Sequence, residues 1–212
     1  MTDESIVALE RAAVFAGEWP QGFVPASECA IEPLLAAIRT RGFAVERALA
    51  ERSPQWKQPI PYCLIVRGSE VFCVERLPRQ GEGRLHGRLS LGIGGHIDGA
   101  ELADNRGPVH AALLRELHEE VALPADVPAR PAFLGLLNDD RDEVGRVHFG
   151  LVFAQALRPG DEVQIVESTK MRGGFRRLVG PDGLWQDLAR FETWSRILLE
   201  AGAVESLASR HA

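Results

Sequence analysis

Two stretches decide how this chain folds: Gly94-Gly95-His96-Ile97-Asp98-Gly99-Ala100-Glu101, and Arg115-Glu116-Leu117-His118-Glu119-Glu120-Val121-Ala122-Leu123. On a helix turning about 100° per residue, Glu116, Glu119 and Glu120 share an arc of about 100°. Leu114, Leu117 and Val121 cluster on a different arc and can pack against a sheet. Pro108 suits the first helical position, where its missing N–H has no intrahelical partner, so the spacing predicts a helix from about Pro108 to Ala122. Like charges at neighbouring helical positions repel. On an exposed face solvent offsets that cost. Hard divalent cations offset it too, because Mg2+ and Mn2+ prefer carboxylate oxygen. Upstream, glycines within an extended run signal a bulge or the close approach of another backbone.

Outward from this centre, Ile60–Val66 and Val71–Arg76 read as two strands joined by the turn Arg67-Gly68-Ser69-Glu70, a hairpin. Further strands are expected near Ala132–Leu137, Val147–Leu157 and Val163–Thr169, and helices near Gly183–Leu188 and Glu192–Ala201. Strands around a single strong helix indicate a mixed α/β or α+β layer fold. The N-terminal part is less regular. Ile6–Phe15 fits a strand, a helix, or one after the other. Ser27 reads as the N-cap of a helix to about Arg41, with Ile31, Leu34, Leu35 and Ile38 on one face, and a shorter helix is expected over Ala44–Arg52.

The formal net charge is −6, from 24 Lys and Arg against 30 Asp and Glu. That argues against broad nucleic-acid binding, which uses a basic stripe. The three cysteines, Cys29, Cys63 and Cys73, have no metal-ligand spacing and read as reduced thiols. The first residues are acidic where a signal peptide is basic, and no apolar run approaches the length of a membrane span. A soluble cytoplasmic protein is expected.

The segment from Gly95 through Glu101 to Arg115–Leu123 resembles the Nudix box: Gly, five residues, Glu, seven residues, then Arg-Glu-apolar-any-Glu-Glu-any-Gly-apolar. The match departs at two points. Thirteen residues separate Glu101 from Arg115, and Ala122 stands in place of the second Gly. The six extra residues fit the loop before Pro108, so the helical half stays intact. Lys57–Tyr62 and Leu91–Ile97 are also similar to a subgroup described as Nudix phosphoesterases, which carries no substrate with it. The resemblance implies an α/β/α sandwich with a mixed sheet over residues 57–212, preceded by an N-terminal, partly helical extension, residues 1–56. It implies an enzyme that uses Mg2+ or Mn2+ to cleave a pyrophosphate bond in a nucleoside diphosphate linked to another moiety, or in a related small phosphorylated compound.

By the same resemblance Glu116, Glu119 and Glu120 are the metal ligands and catalytic carboxylates, with the Gly95 carbonyl and Glu101 as further ligands. Arg115 orients a box glutamate. Arg76 and Arg84, in or near the loop leading into the box, are candidates to hold distal phosphates. The acidic loop Asp139, Asp140, Asp142 and Glu143 reads as a charged turn or a source of another ligand, with Glu162 and Glu167 weaker candidates for that duty. His96 is expected to point to the cleft or cap its turn, and His148 to be structural. Two other functions on this fold stay open: an isopentenyl-type diphosphate isomerase using a reactive cysteine, and a non-catalytic nucleotide sensor. The amphipathic N-terminal helices are expected to build a homodimer or a substrate pocket.

Overall fold

The hairpin at the head of the domain forms because two β-rich runs flank a turn that Gly68 completes with φ +54°, a left-handed conformation open to glycine at little cost. The computed structural model describes residues 4–15, 18–77, 87–181 and 183–211. Its N-terminal elements are β1 (Ser5–Glu10), β2 (Gly22–Pro25), α1 (Ile31–Arg41), β3 (Phe43–Glu46), α2 (Arg47–Ala50), β4 (Trp56–Arg67) and β5 (Glu70–Arg76). The middle holds β6 (Leu89–Ser90), β7 (Gly92–Gly94), α3 (Pro108–Glu120), β8 (Val121–Ala122) and β9 (Ala132–Asn138). There follow α4 (Glu143–Val147), β10 (His148–Leu157), β11 (Gln164–Ile165), β12 (Met171–Arg177), α5 (Thr193–Glu200) and α6 (Ala203–His211). This is the mixed α/β architecture, a large sheet with helices, that the resemblance implies.

The chain divides into two compact units, Met1–Tyr62, Gly94–Arg115 and Phe133–Phe153 in the first, and Cys63–Ile93, Glu116–Ala132 and Ala154–Ala212 in the second. In the first unit β1 lies antiparallel to β3, from Ser5 opposite Glu46 to Ala8 opposite Phe43, and continues onto the start of β4. Strand β2 pairs antiparallel with β9. Ile6, Leu9, Ile38, Ile97, Leu113 and Phe149 are buried here. In the second unit β12, β5 and the end of β4 are neighbours, and Leu64, Ile65, Val71, Leu117, Phe191 and Leu198 are buried.

Several local expectations differ from the structure. Residues 1–56 carry strands β1, β2 and β3 beside their helices. Helix α1 begins at Ile31, not after Ser27. Pro33 explains this, since a start at Ser27 would put its ring and missing N–H in the helix interior, whereas a start at Ile31 leaves it in the first turn. Residues 44–46 pair with β1 as a strand, leaving α2 only four residues. Strand β12 was not expected, and the strand expected over Val163–Thr169 shrinks to β11.

Candidate active site

The box helix ends on its carboxylates. Leu117 is buried, and Glu120 is buried almost as deeply, 7% exposed. On the helical wheel Glu120 lies about 60° from Leu117, so the carboxylate arc starts at the packed face and turns outward. Glu116 is half-buried and Glu119 exposed. The helix exit is tied down: Val166 donates its N–H to the Glu120 carbonyl at 2.9 Å, and β11 pairs with β8, Ile165 opposite Val121 and Gln164 opposite Ala122. Ala122, where the box pattern has glycine, therefore sits in ordinary strand conformation.

This pairing brings Glu167 into the electrostatic surroundings of Glu120. Burial is the largest influence on the Glu120 carboxyl and pushes it up to about 7; Glu116 and Glu167 add to the rise, while the charges of Arg76 and Lys170 oppose it. Its Oε2 is buried with no hydrogen-bond partner among the described residues, and the same holds for Nε of Arg76. A buried carboxylate oxygen without a donor costs free energy that a bound cation would remove. The residues present therefore fit a hard divalent ion. Arg84 lies outside the described residues.

In the first unit, Gly94 is the last residue of β7 and Gly95 follows it. A Cβ at Gly94 would stand 2.0 Å from the Pro61 carbonyl oxygen, so the close approach needs glycine. The extra loop residues form a 3-10 turn, Gly99–Ala103, closed by a capping box in which Glu101 accepts from the Asp98 N–H at 2.8 Å. Arg115 donates to Glu101 through Nε at 3.0 Å and to the His96 carbonyl through Nη2 at 2.8 Å. Glu101 is thus no solvated loop carboxylate; it anchors Arg115 and, through it, the turn that carries Gly95.

The acidic loop is structurally committed. Asp139 accepts from Arg141, Asp142 caps α4 at the Gly145 N–H, and Asp140 accepts from Arg11, Gln21 and Lys57. Lys57, which sequence reasoning passed over, is fully buried. The three N–H groups of its Nζ are shared among four acceptors, Asn138 Oδ1 at 2.5 Å, Asp140 Oδ1 at 2.7 Å, the Gly145 carbonyl at 2.8 Å and the His148 carbonyl at 3.0 Å. Burial brings its pKa down to about 8 against the pull of Asp140. Lys57 opens the stretch Lys57–Tyr62 that carries part of the resemblance, but its partners lie 81 to 91 residues away in sequence, so no local pattern gave it this role.

No family model matches the chain. Protein YmaB of Bacillus subtilis (strain 168) is 36% identical over 203 residues, covering 93% of this chain and 97% of its own. The crystal structure of Tm1382, a candidate Nudix hydrolase, superposes with a TM-score of 0.71 at 28% identity, covering 93% of this chain and 97% of that one. A bifunctional NMN adenylyltransferase/ADP ribose pyrophosphatase from Francisella tularensis, complexed with AMP and a Mn ion, shares the fold at TM-score 0.52 and 15% identity over 70% of this chain and 42% of its own. No helix among the described residues is long and apolar enough to cross a membrane. With the box on its helix and this fold around it, the chain belongs to the Nudix hydrolase superfamily.

Proposed function

We propose that Glu116, Glu119 and Glu120 hold Mg2+ or Mn2+, and that the substrate is a nucleoside diphosphate linked to another moiety. The observation that carries this reading is the Glu120 carboxylate: buried, without a donor for Oε2 among the described residues, and poised to titrate near neutrality. A group in that state is expensive to ionise alone and favourable to ionise beside a cation. When bound, the ion supplies charge neutralisation for the phosphoryl oxygens and acidifies water.

The chain's own residues do the rest. Glu120, fixed through its backbone to β11, and Glu116 beside it hold their carboxylates at the helix end. Arg76 presents a guanidinium whose Nε has no hydrogen-bond partner among the described residues, suited to a phosphate oxygen by a charge-assisted hydrogen bond. Arg115 and Glu101 position the turn that bears Gly95. Gly95 and Glu101 as further ligands rest on the box resemblance. Isomerase chemistry finds no support in the cysteines. Burial pushes the Cys63 thiol up to about 12 and the Cys73 thiol up to about 11, leaving neither a ready nucleophile.

The fold shared with the Francisella ADP ribose pyrophosphatase, complexed with AMP and a Mn ion, sets where a substrate panel begins. Nucleotide sugars, ADP-ribose, dinucleoside polyphosphates, nucleoside triphosphates and isoprenoid diphosphates are each offered with Mg2+ or Mn2+. Release of a nucleoside monophosphate from a nucleoside diphosphate-linked compound is the expected result. Turnover confined to isoprenoid diphosphates or nucleoside triphosphates would overturn the substrate class.

A further inference from the structure

The first unit holds a second cluster of metal-ligating atoms, built from residues that the box does not use. Glu51 follows α2, His96 follows the glycine pair, and His148 opens β10. The Nε2 atoms of His96 and His148 face each other at 3.1 Å. Glu51 Oε1 stands 3.8 Å from the first and 3.6 Å from the second. Both imidazoles are largely buried, 12% and 7% exposed, while Glu51 reaches solvent at 31%.

The geometry points to a binding site for one borderline divalent transition-metal ion, Zn2+ being the reference case, held by Glu51, His96 and His148. Three features carry this. First, the point equidistant from the three atoms lies about 2.0 Å from each, from edges of 3.1, 3.6 and 3.8 Å, which is the ordinary length of zinc bonds to imidazole nitrogen and carboxylate oxygen. Second, His148 Nδ1 lies 2.7 Å from the Val144 carbonyl, an acceptor only, so its proton sits on Nδ1 and Nε2 offers a lone pair toward the cluster. Third, the ligands are braced. Lys57 donates to the His148 carbonyl at 3.0 Å, Arg115 donates to the His96 carbonyl at 2.8 Å, and Arg47 Nε lies 3.7 Å from Glu51 Oε1.

Two imidazoles and one carboxylate suit Zn2+ and its neighbours in the transition series better than Mg2+, which takes oxygen ligands. Three protein ligands with a solvent-reaching carboxylate leave a fourth position for water. This site contains none of Glu116, Glu119 and Glu120, so it stands apart from the proposed function.

The test uses tag-free full-length protein, stripped with a chelator and kept in excess Mg2+ so that oxygen-rich sites are occupied. Calorimetric titration with Zn2+ is expected to show one equivalent in the wild type and in Glu120→Gln. His148→Gln and His96→Gln are expected to lose it, and Glu51→Gln to bind at least ~10-fold more weakly. Co2+ reads the ligands in the unaltered chain, which keeps the test valid if a variant fails to fold. Ligand-field bands of a low-coordinate nitrogen and oxygen site, without thiolate charge transfer, are expected. Absence of the Zn2+ equivalent, its retention by both folded histidine variants, its loss in Glu120→Gln, or a cobalt–thiolate band would each overturn the assignment. Any of those outcomes leaves the box glutamates and their Mg2+-dependent turnover untouched.

Discussion

Replacing Glu120 by Gln is expected to stabilise the metal-free protein while removing its activity. The residue is 7% exposed, and Oε2 has no donor among the described residues. Burial first, then Glu116 and Glu167, raise its carboxyl from the ordinary 4.5 to about 7, against Arg76 and Lys170. An acid raised on folding contributes stability below about pH 4.5 and loses it as pH rises through about 7. At about 1.4 kcal/mol per factor of ten, ionising Glu120 costs the fold about 3 kcal/mol at a pH of about 8. At a pH of about 5.5 the folded protein keeps the proton, and the cost falls to about 1 kcal/mol. Gln keeps the shape and removes the charge. Urea unfolding in the presence of chelator is therefore expected to show Glu120→Gln more stable than wild type by about 3 kcal/mol at the higher pH and about 1 kcal/mol at the lower. In melting temperature the higher-pH gain amounts to roughly 6–12 °C. Saturating Mg2+ should raise the wild type and leave the variant unmoved, because only binding to the folded state stabilises. A variant no more stable at the higher pH, or a gap that does not narrow with acid, would refute the claim that an uncompensated buried charge sits at the helix end.

Other substitutions probe the supporting structure. Arg115→Ala removes donors to Glu101 and the His96 carbonyl, and chemical denaturation should show a loss of about 2 kcal/mol; Arg115→Lys should recover only part, since one ammonium cannot reproduce the fork. Lys57→Met removes a donor from buried Asn138 and from half-buried Asp140, which keeps Arg11 and Gln21, and a loss of about 1–3 kcal/mol is expected in the same assay. Gly94→Ala drives a methyl to 2.0 Å from the Pro61 oxygen, and a calorimetric scan should show destabilisation of about 1–3 kcal/mol or failure to fold. Cys63 and Cys73, buried and with raised thiol pKa values, should resist a thiol reagent in the native protein and react at once after denaturation.

What the sequence disclosed depended on how local the signal was. The β4–β5 hairpin and α3 are written in adjacent residues, and both formed within a few residues of their expected bounds. The end of the box helix shows the limit of periodicity. It placed the carboxylates on one arc, but burial follows Leu113 and Leu117 rather than Leu114, which turns Glu120 inward. Strand β12, Met171-Arg-Gly-Gly-Phe-Arg-Arg, carries no apolar alternation. It is a strand because β5 supplies the register, because Phe175 meets Phe72 at 5.3 Å, and because a Cβ at Gly173 would strike the Cys73 carbonyl at 2.5 Å. Such a strand is legible only with its neighbour in view. The Lys57 network and the Glu51, His96, His148 cluster draw on separate segments, so no spacing rule connects their members.

The most direct test of the account is the initial rate of the wild type, Glu116→Gln, Glu119→Gln and Glu120→Gln on the best nucleoside diphosphate-linked substrate at saturating Mg2+, each variant shown to be folded by circular dichroism. The account predicts pyrophosphate-bond cleavage that vanishes with chelator and falls ~100-fold or more in Glu120→Gln. Turnover that persists in folded Glu120→Gln, or that ignores removal of the metal, would contradict it.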